Sequence, residues 1–423
     1  MKISTLLLFM VLLIGSTFGQ KALKSEEELA KEKVYRSMSE VIGNKRGVYI
    51  LNLDGKKLNK IPEKVYKLKN LQVLYVRNNQ IREIPVELLQ MPNLQVLAMG
   101  ENQISVIPKE IAQAENLQVI DLFSNKLTTV PDELVQLKNL KKLDLNWNQL
   151  NKLPENLGDL ANLEALYLEK NQLTGLPVSL GELVKLKELK INENKLEQLP
   201  ENFGQLTLLS ELNLEKNQLT ELPASIGQIK NLRHLNVSQN KLSLIPEELG
   251  QMEQLETLNL SNNKITRISG NSINLPNVTR IDVSINQLSS LTANMAKLQK
   301  LTHFDASINR LTEVPRNIGY ASNLKEVNLN RNQITWVGGT LSKLSQLEEL
   351  DLSDNQIEKI DKSLSALVSL KKLNLNQNQL LYFNKQLGGM RALEELHLEN
   401  NPRLNDFQQK QVKKFFPNTK IYF

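Results

Sequence analysis

Apolar residues along this chain fall in a short frame that keeps returning. Leu71, Leu74 and Val76 are followed by Asn79, and the same Leu-x-x-Leu-x-Leu-x-x-Asn spacing recurs at Leu94/Leu97/Met99/Asn102, Leu117/Ile120/Leu122/Asn125 and Leu140/Leu143/Leu145/Asn148. The asparagines run on as Asn171, Asn194, Asn217, Asn240, Asn263, Asn286, Asn309, Asn332, Asn355, Asn378 and Asn401, fourteen steps of 23 from Asn79 with no insertion. One step earlier Lys56 takes the asparagine place, within Val48, Leu51 and Leu53, which makes sixteen repeats. The two inner apolar positions are two residues apart, so they share one face of a strand. Each repeat therefore predicts one short parallel strand with its leucines buried. An asparagine side chain both donates and accepts, so at the bend it can satisfy backbone groups of its own repeat and the next. Stacked, the fifteen asparagines predict a buried ladder. A short period of this kind builds one continuous core by stacking, and the length of 423 residues does not call for separate domains.

From about Val48 to Leu404 the frame resembles the leucine-rich repeats, and within them the bacterial members of the "typical" class with Leu-Pro after the asparagine. The resemblance implies an α/β fold: a leucine-rich-repeat solenoid, a curved horseshoe with a parallel β-sheet on its concave face and helical end caps. Proline stands six residues past the ladder in ten repeats, from Pro62 to Pro246 and again at Pro315. Proline cannot donate to a strand ladder, so the convex side is expected to be irregular or short-helical. The proline lapses at Ser269, Thr292, Gly338, Asp361 and Asn384, which predicts a change of convex character around 265–295 and again after 335.

The ends carry different patterns. Lys2, the apolar run Leu6–Ile14 and the small residues Thr17 and Gly19 read as a secretory signal peptide over 1–19, cleaved near Gly19 or Gln20. The run is shorter than the ~20 apolar residues a spanning helix needs, and no second apolar stretch follows, so no integral membrane span is expected. Residues 20–47 are expected to form an N-terminal helical cap, with Ala30, Val34, Met38, Val41 and Ile42 at helical spacing. The solenoid occupies 48–403. Residues 404–423 are expected to close it with a cap helix lined by Phe407, Gln411 or Val412, and Phe415. A strand follows in which Phe416, Thr419 and Ile421 stand 23 past Leu393, Leu396 and Leu398.

Composition narrows the function classes. There is no cysteine, which excludes disulfides, thiol chemistry and a cysteine lipid anchor. The net charge of +6 lies in the ends, since residues 48–402 sum to −1. A nucleic-acid-binding solenoid would concentrate positive charge on its repeats, so no nucleic-acid partner is expected. The only histidines, His234, His303 and His397, are too far apart for a common metal site. No phosphate loop, nucleophile elbow or zinc-binding helix motif occurs, so neither a cofactor, a metal nor an enzymatic activity is expected.

Side chains six, four, two and one before each asparagine point out of the sheet and are free of the core. Apolar and aromatic groups gather there near the N-terminal end: Ile50, Val73, Val96, Val119, Tyr75, Tyr167, Phe123 and Trp147, with Arg77 among the charged residues at the rim. Such a patch fits an interface centre for a protein ligand on the concave face. A second, smaller candidate is Ile285 and Ile308 beside Asp282, His303 and Asp305. The column four before the asparagine is rich in Asp and Asn, which reads as structural. The sequence thus predicts a secreted or surface protein-binding module, with adhesion or host recognition implied by the family. The alternative is a periplasmic or cell-envelope structural scaffold that binds glycan or envelope components. The sequons at Asn236, Asn259 and Asn277 include two on the strand face, where a sugar would obstruct binding, and so favour a bacterial source.

Overall fold

The computed structural model describes residues 23–291 and 294–423, so the expected signal peptide and the lapse at Thr292 lie outside the described residues. The chain forms two compact units, one ending at Gln172 and one beginning at Leu173.

The first unit holds seven parallel strands in chain order: Val34–Tyr35, Ile50–Asn52, Val73–Tyr75, Val96–Ala98, Val119–Asp121, Lys142–Asp144 and Ala165–Tyr167. From the second strand on, the register is one repeat: Leu51 lies beside Leu74, Leu74 beside Leu97, and Leu143 beside Leu166. The second unit carries an eleven-stranded parallel sheet from Glu188–Lys190 to Lys420–Tyr422 with the same step of 23 as far as Leu373 beside Leu396. Inner leucines such as Leu74, Leu97, Leu143, Leu350 and Leu373 are buried. Each is worth about 1.5–3 kcal/mol of transfer from water.

The ladder asparagines are hydrogen-bonded on both sides of the amide and, from Asn102 on, buried. Asn102 donates through Nδ2 to the carbonyls of Met99 and Gly100 in its own repeat and of Val76 in the preceding one, and its Oδ1 accepts from the Ile81 N–H at 3.0 Å. The bridge therefore runs to the preceding repeat, not to the next as the sequence suggested. That direction explains Lys56: with no repeat before it, the first position has nothing to join.

A second ladder stands one residue earlier. All fifteen residues preceding the ladder asparagines have φ between 50° and 58°. The left-handed turn keeps the N–H of this residue bonded to the carbonyl two residues before the next asparagine, as in Asn262 to Ser284 at 2.9 Å. On the side away from the sheet, short 3-10 helices follow proline, as at Lys109–Gln113 and Asp132–Gln136. They stack so closely that a Cβ on Gly204 would sit 1.9 Å from the Ser225 carbonyl oxygen, and one on Gly227 2.1 Å from that of Glu248. A further amide ladder, which the repeat frame did not single out, pins these turns: Asn93 donates to the Lys69 carbonyl, Asn116 to Pro92 and Asn139 to Glu115, all within 2.9 Å. Where proline lapses, residues 270–273 form turns in place of a short helix. After 335 a separate parallel pair appears, Trp336–Val337 with Lys359–Ile360.

Both ends depart from expectation. Residues 25–42 do not form one helix. A single turn at Glu26–Leu29, held by a Ser25/Glu28 capping box, and another at Met38–Val41 flank the strand Val34–Tyr35. That strand pairs with Ile50–Leu51 and so covers an edge whose backbone groups a helix could not satisfy. Ile42 is exposed as a result. At the other end the helix Asp406–Phe415 forms and buries Val412, but Phe407 faces water, while Leu404 and Phe416 are buried. Phe416 packs edge-on to Phe383 at 5.8 Å. The last strand places Ile421 beside Leu396, a step of 25 where the sequence predicted 23. The helix takes up the two extra residues, and a slip of two leaves the same side chains facing the core.

Candidate functional site: the exposed sheet face

In the first unit the outward positions carry the expected aromatic and apolar groups, but the N-terminal segment changes which of them meet water. Leu29 packs on Ile50 and Val73 and leaves them 7% and 4% exposed, with Val34, Tyr49, Tyr75 and Val96 around the cluster. Ile50 and Val73 therefore leave the candidate patch. The segment is fastened by a ladder of glutamines that the sequence reading did not pick out. The Lys24 N–H donates to Gln72 Oε1 at 3.2 Å, Gln95 Nε2 donates to the Lys24 carbonyl at 3.0 Å and to Gln72 Oε1 at 2.8 Å, and Gln118 Nε2 donates to Gln95 Oε1. The glutamines recur at the step of 23, which is the signal that could have found them.

The remaining residues group around a shallow centre. Val96 and Val119 are half-buried on neighbouring strands. Phe123 meets Trp147 edge-on at 6.1 Å, Trp147 is 47% exposed in spite of its left-handed backbone, and Lys170 Nζ sits 3.6 Å from the indole centroid. Tyr167 is buried with Lys142 Nζ 4.5 Å from its ring, and Arg77 lies 5.2 Å from the Tyr75 ring. Arg77 Nε donates to Asp121 Oδ2 at 2.6 Å. Between them the outward positions are Ala98 and Gly100, both buried, so the ion pair spans a gap that larger side chains would fill. Burial pushes the Asp54 carboxyl up, helped by the Asp121 charge, while the Arg77 N–H and guanidinium pull the other way. Burial likewise raises the Tyr75 hydroxyl.

The Asp/Asn column is structural in both units. Its Oδ1 accepts from the N–H two residues on at Asp121, Asp144, Asn213, Asn236, Asn259, Asp282, Asp305, Asn328, Asp351 and Asn374, over 2.8–3.1 Å. The histidines all lie on the sheet face of the second unit: His234 bonds Thr257, His303 approaches Glu326 at 3.1 Å, and His397 stacks on Tyr422 at 4.4 Å. Among the described residues no helix is long and apolar enough to cross a membrane, and no group of three or more His, Cys, Asp or Glu is placed to hold a metal.

Repeating strands, a buried asparagine ladder and short helices behind the sheet define a leucine-rich-repeat solenoid. The chain belongs to the leucine-rich-repeat family: models described as leucine-rich repeat region and leucine-rich repeat match residues 32–152, 178–259, 254–275, 299–357 and 322–380. It is similar to a leucine-rich-repeat protein of Leptospira interrogans at 32% identity and TM-score 0.76, over 93% of this chain and all of that one. A plant peptide hormone receptor in complex with its ligand RGF2 is similar at 27% identity and TM-score 0.63, over 86% of this chain and 65% of the receptor. YopM of Yersinia enterocolitica follows at 25% and 0.61, over 83% and 69%. No curated protein sequence matches the chain. The scaffold is of a kind typical of non-enzymatic protein-interaction modules.

Proposed function

We propose that this protein is an exported binding module that holds a protein partner on the exposed sheet face of its first unit, through Tyr75, Arg77, Val96, Val119, Phe123 and Trp147, with Tyr167, buried under Lys142, supporting that face from below. The observation that carries the reading is the exposed Trp147, braced by Phe123 and Lys170. A rigid aromatic group offers a large contact area at small cost in side-chain entropy, which is why such groups anchor interfaces. Its surroundings alternate cations and carboxylates, as an interface rim does. The similar plant receptor, which is bound to a peptide hormone, supports a polypeptide ligand on this kind of scaffold. Export follows from the signal-peptide pattern over residues 1–19 and puts the partner outside the cytoplasm, in the medium or at the cell surface.

The test is affinity capture with the chain from Gln20 onward, repeated with Tyr75, Phe123, Trp147 and Tyr167 changed together to alanine. The partner held by the unaltered protein should be lost from the variant while far-ultraviolet circular dichroism stays the same. Equal capture by the folded variant would move the binding site elsewhere.

A further inference from the structure

We infer a second binding site on the sheet face of the second unit, built by Asp282, Asp305, Ile285 and Ile308, for an extended polypeptide segment that carries a basic side chain next to an aliphatic one.

Two independent departures from what the fold needs coincide in two adjacent repeats. The first is charge. Asp282 and Asp305 lie side by side in register on neighbouring strands. Their structural duty is to accept a backbone N–H, at 2.9 Å from Ser284 and 2.8 Å from Ser307. Asn236, Asn259, Asn328 and Asn374 perform that duty at 3.0–3.1 Å with no charge, and where Asp121 performs it Arg77 neutralises the carboxylate at 2.6 Å, whereas neither Asp282 nor Asp305 has a cation partner among the described residues. Two carboxylates at the ~4.8 Å strand spacing repel each other, so the fold gains nothing from their charge. Asp305 Oδ2 accepts from Asn328, whereas Asp282 Oδ2 has no partner among the described residues.

The second departure is shape. Ile285 and Ile308 occupy left-handed positions at φ 52° and 51°. Other repeats fill this place with Asn, Ser, Gln, Lys, Glu, Arg, Asp or Trp. A β-branched side chain is the least suited to that conformation. Both isoleucines are nevertheless exposed, at 44% and 38%, where a polar residue would satisfy backbone and water alike. Ser284 and Ser307 beside them are small and buried, so the isoleucines border a low floor. A hollow of about 410 Å³ opens next to Ile308, with Asn330, Asp351 and Asn374 among its walls.

The chemistry selects the occupant. Carboxylates in excess of structural need match a cation. Exposed isoleucines match an aliphatic side chain. Amides such as Asn259, whose Nδ2 has no partner among the described residues, can serve the peptide groups of an extended chain. Strained or costly residues that persist together are expected where binding repays them.

The experiment uses the full chain from Gln20 with 13C-methyl-labelled isoleucine and follows the Ile285 and Ile308 methyl signals. The probes are the peptide acetyl-Gly-Leu-Lys-Leu-Gly-amide, the same peptide with glutamate for lysine, and the disaccharide chitobiose. The lysine peptide should shift both methyls saturably, and the glutamate peptide should bind at least tenfold more weakly. The double substitution Asp282→Asn with Asp305→Asn keeps the backbone bonds and should weaken the lysine peptide at least tenfold without lowering the melting temperature. The double substitution Ile285→Asn with Ile308→Asn should raise the melting temperature and abolish lysine-peptide binding as read by isothermal titration calorimetry, an outcome that a purely structural role does not give. The four-alanine variant of the first unit should bind the peptide unchanged, which separates this site from the one proposed above. Three results would each overturn the assignment: methyls unmoved by the lysine peptide, a response to chitobiose alone, or an affinity that neither the glutamate peptide nor the double aspartate substitution reduces.

Discussion

Arg77 reaches Asp121 at 2.6 Å across an intervening repeat, over Ala98 and Gly100. The contact exists because the middle repeat presents no side chain larger than a methyl at its two outward positions there. It ties the Tyr75 end of the candidate interface to the Phe123 end. The pair is only partly buried, with side-chain exposures of 35% and 12%, so solvent screens it. A double-mutant cycle with Arg77→Gln and Asp121→Asn should give a coupling of about 1 kcal/mol that shrinks in 1 M salt. A coupling that persists undiminished at high salt would contradict a screened ion pair.

Asp54 lies in the same network, and its carboxyl is raised above the ordinary aspartate value mainly by burial. Because the folded state holds this proton more tightly than the unfolded chain, its contribution is fully present below the unfolded pKa. It is lost as pH rises from the ordinary aspartate value, about 3.9, through the higher folded one. Asp54→Asn keeps an acceptor for the Arg77 N–H, which Asp54 Oδ1 now binds at 2.6 Å. The variant should therefore gain in relative stability as pH rises across that window, as read from urea midpoints at several pH values. Asp121→Asn should lower the Asp54 pKa, as read by carboxyl NMR, since the Asp121 charge helps to raise it.

The asparagine ladder concentrates polar satisfaction in single side chains. Asn286 donates to the carbonyls of Leu260, Val283 and Ser284 and accepts from the Ile265 N–H. Asn286→Ala would strand the buried Ile265 N–H, while the three carbonyls keep bonds from Asn263, Asn309 and the Asn262 N–H, and a loss of about 1–3 kcal/mol is expected by chemical denaturation.

Glycines behind the sheet differ in what surrounds them. Gly204→Ala forces its methyl against the Ser225 backbone, 1.9 Å away, and should cost about 1–3 kcal/mol. Gly175 has nothing within 4 Å of an added Cβ and no left-handed backbone, so Gly175→Ala should be neutral or stabilise by about 0.4–1 kcal/mol. Thermal unfolding of the two variants side by side measures the contrast.

The N-terminal segment over the first sheet rests on Leu29. Leu29→Ser should loosen it, raise hydrogen exchange at the Lys24 amide and leave exchange at Leu143 in the sheet unaltered. Equal protection at Lys24 in the variant would show that the glutamine ladder alone holds the segment.

What the sequence determined by itself was the frame of apolar and asparagine positions that repeats. The step of 23 located the strands, the buried leucines, the amide ladder and the outward columns, because each depends only on the period of side-chain direction and on a local turn that recurs. It also picked out Ile285 and Ile308, since an apolar residue in a polar column is visible without coordinates. The tertiary structure decided what departs from the period. Helical spacing in residues 25–42 lost to the unpaired edge of Ile50–Asn52, which only a strand could satisfy. Leu29 covered Ile50 and Val73, the C-terminal helix delayed the last strand by two residues, and Arg77 crossed Ala98 and Gly100 to Asp121. These contacts join segments through their particular shapes and charges, and a periodic pattern holds no information about which of them will meet.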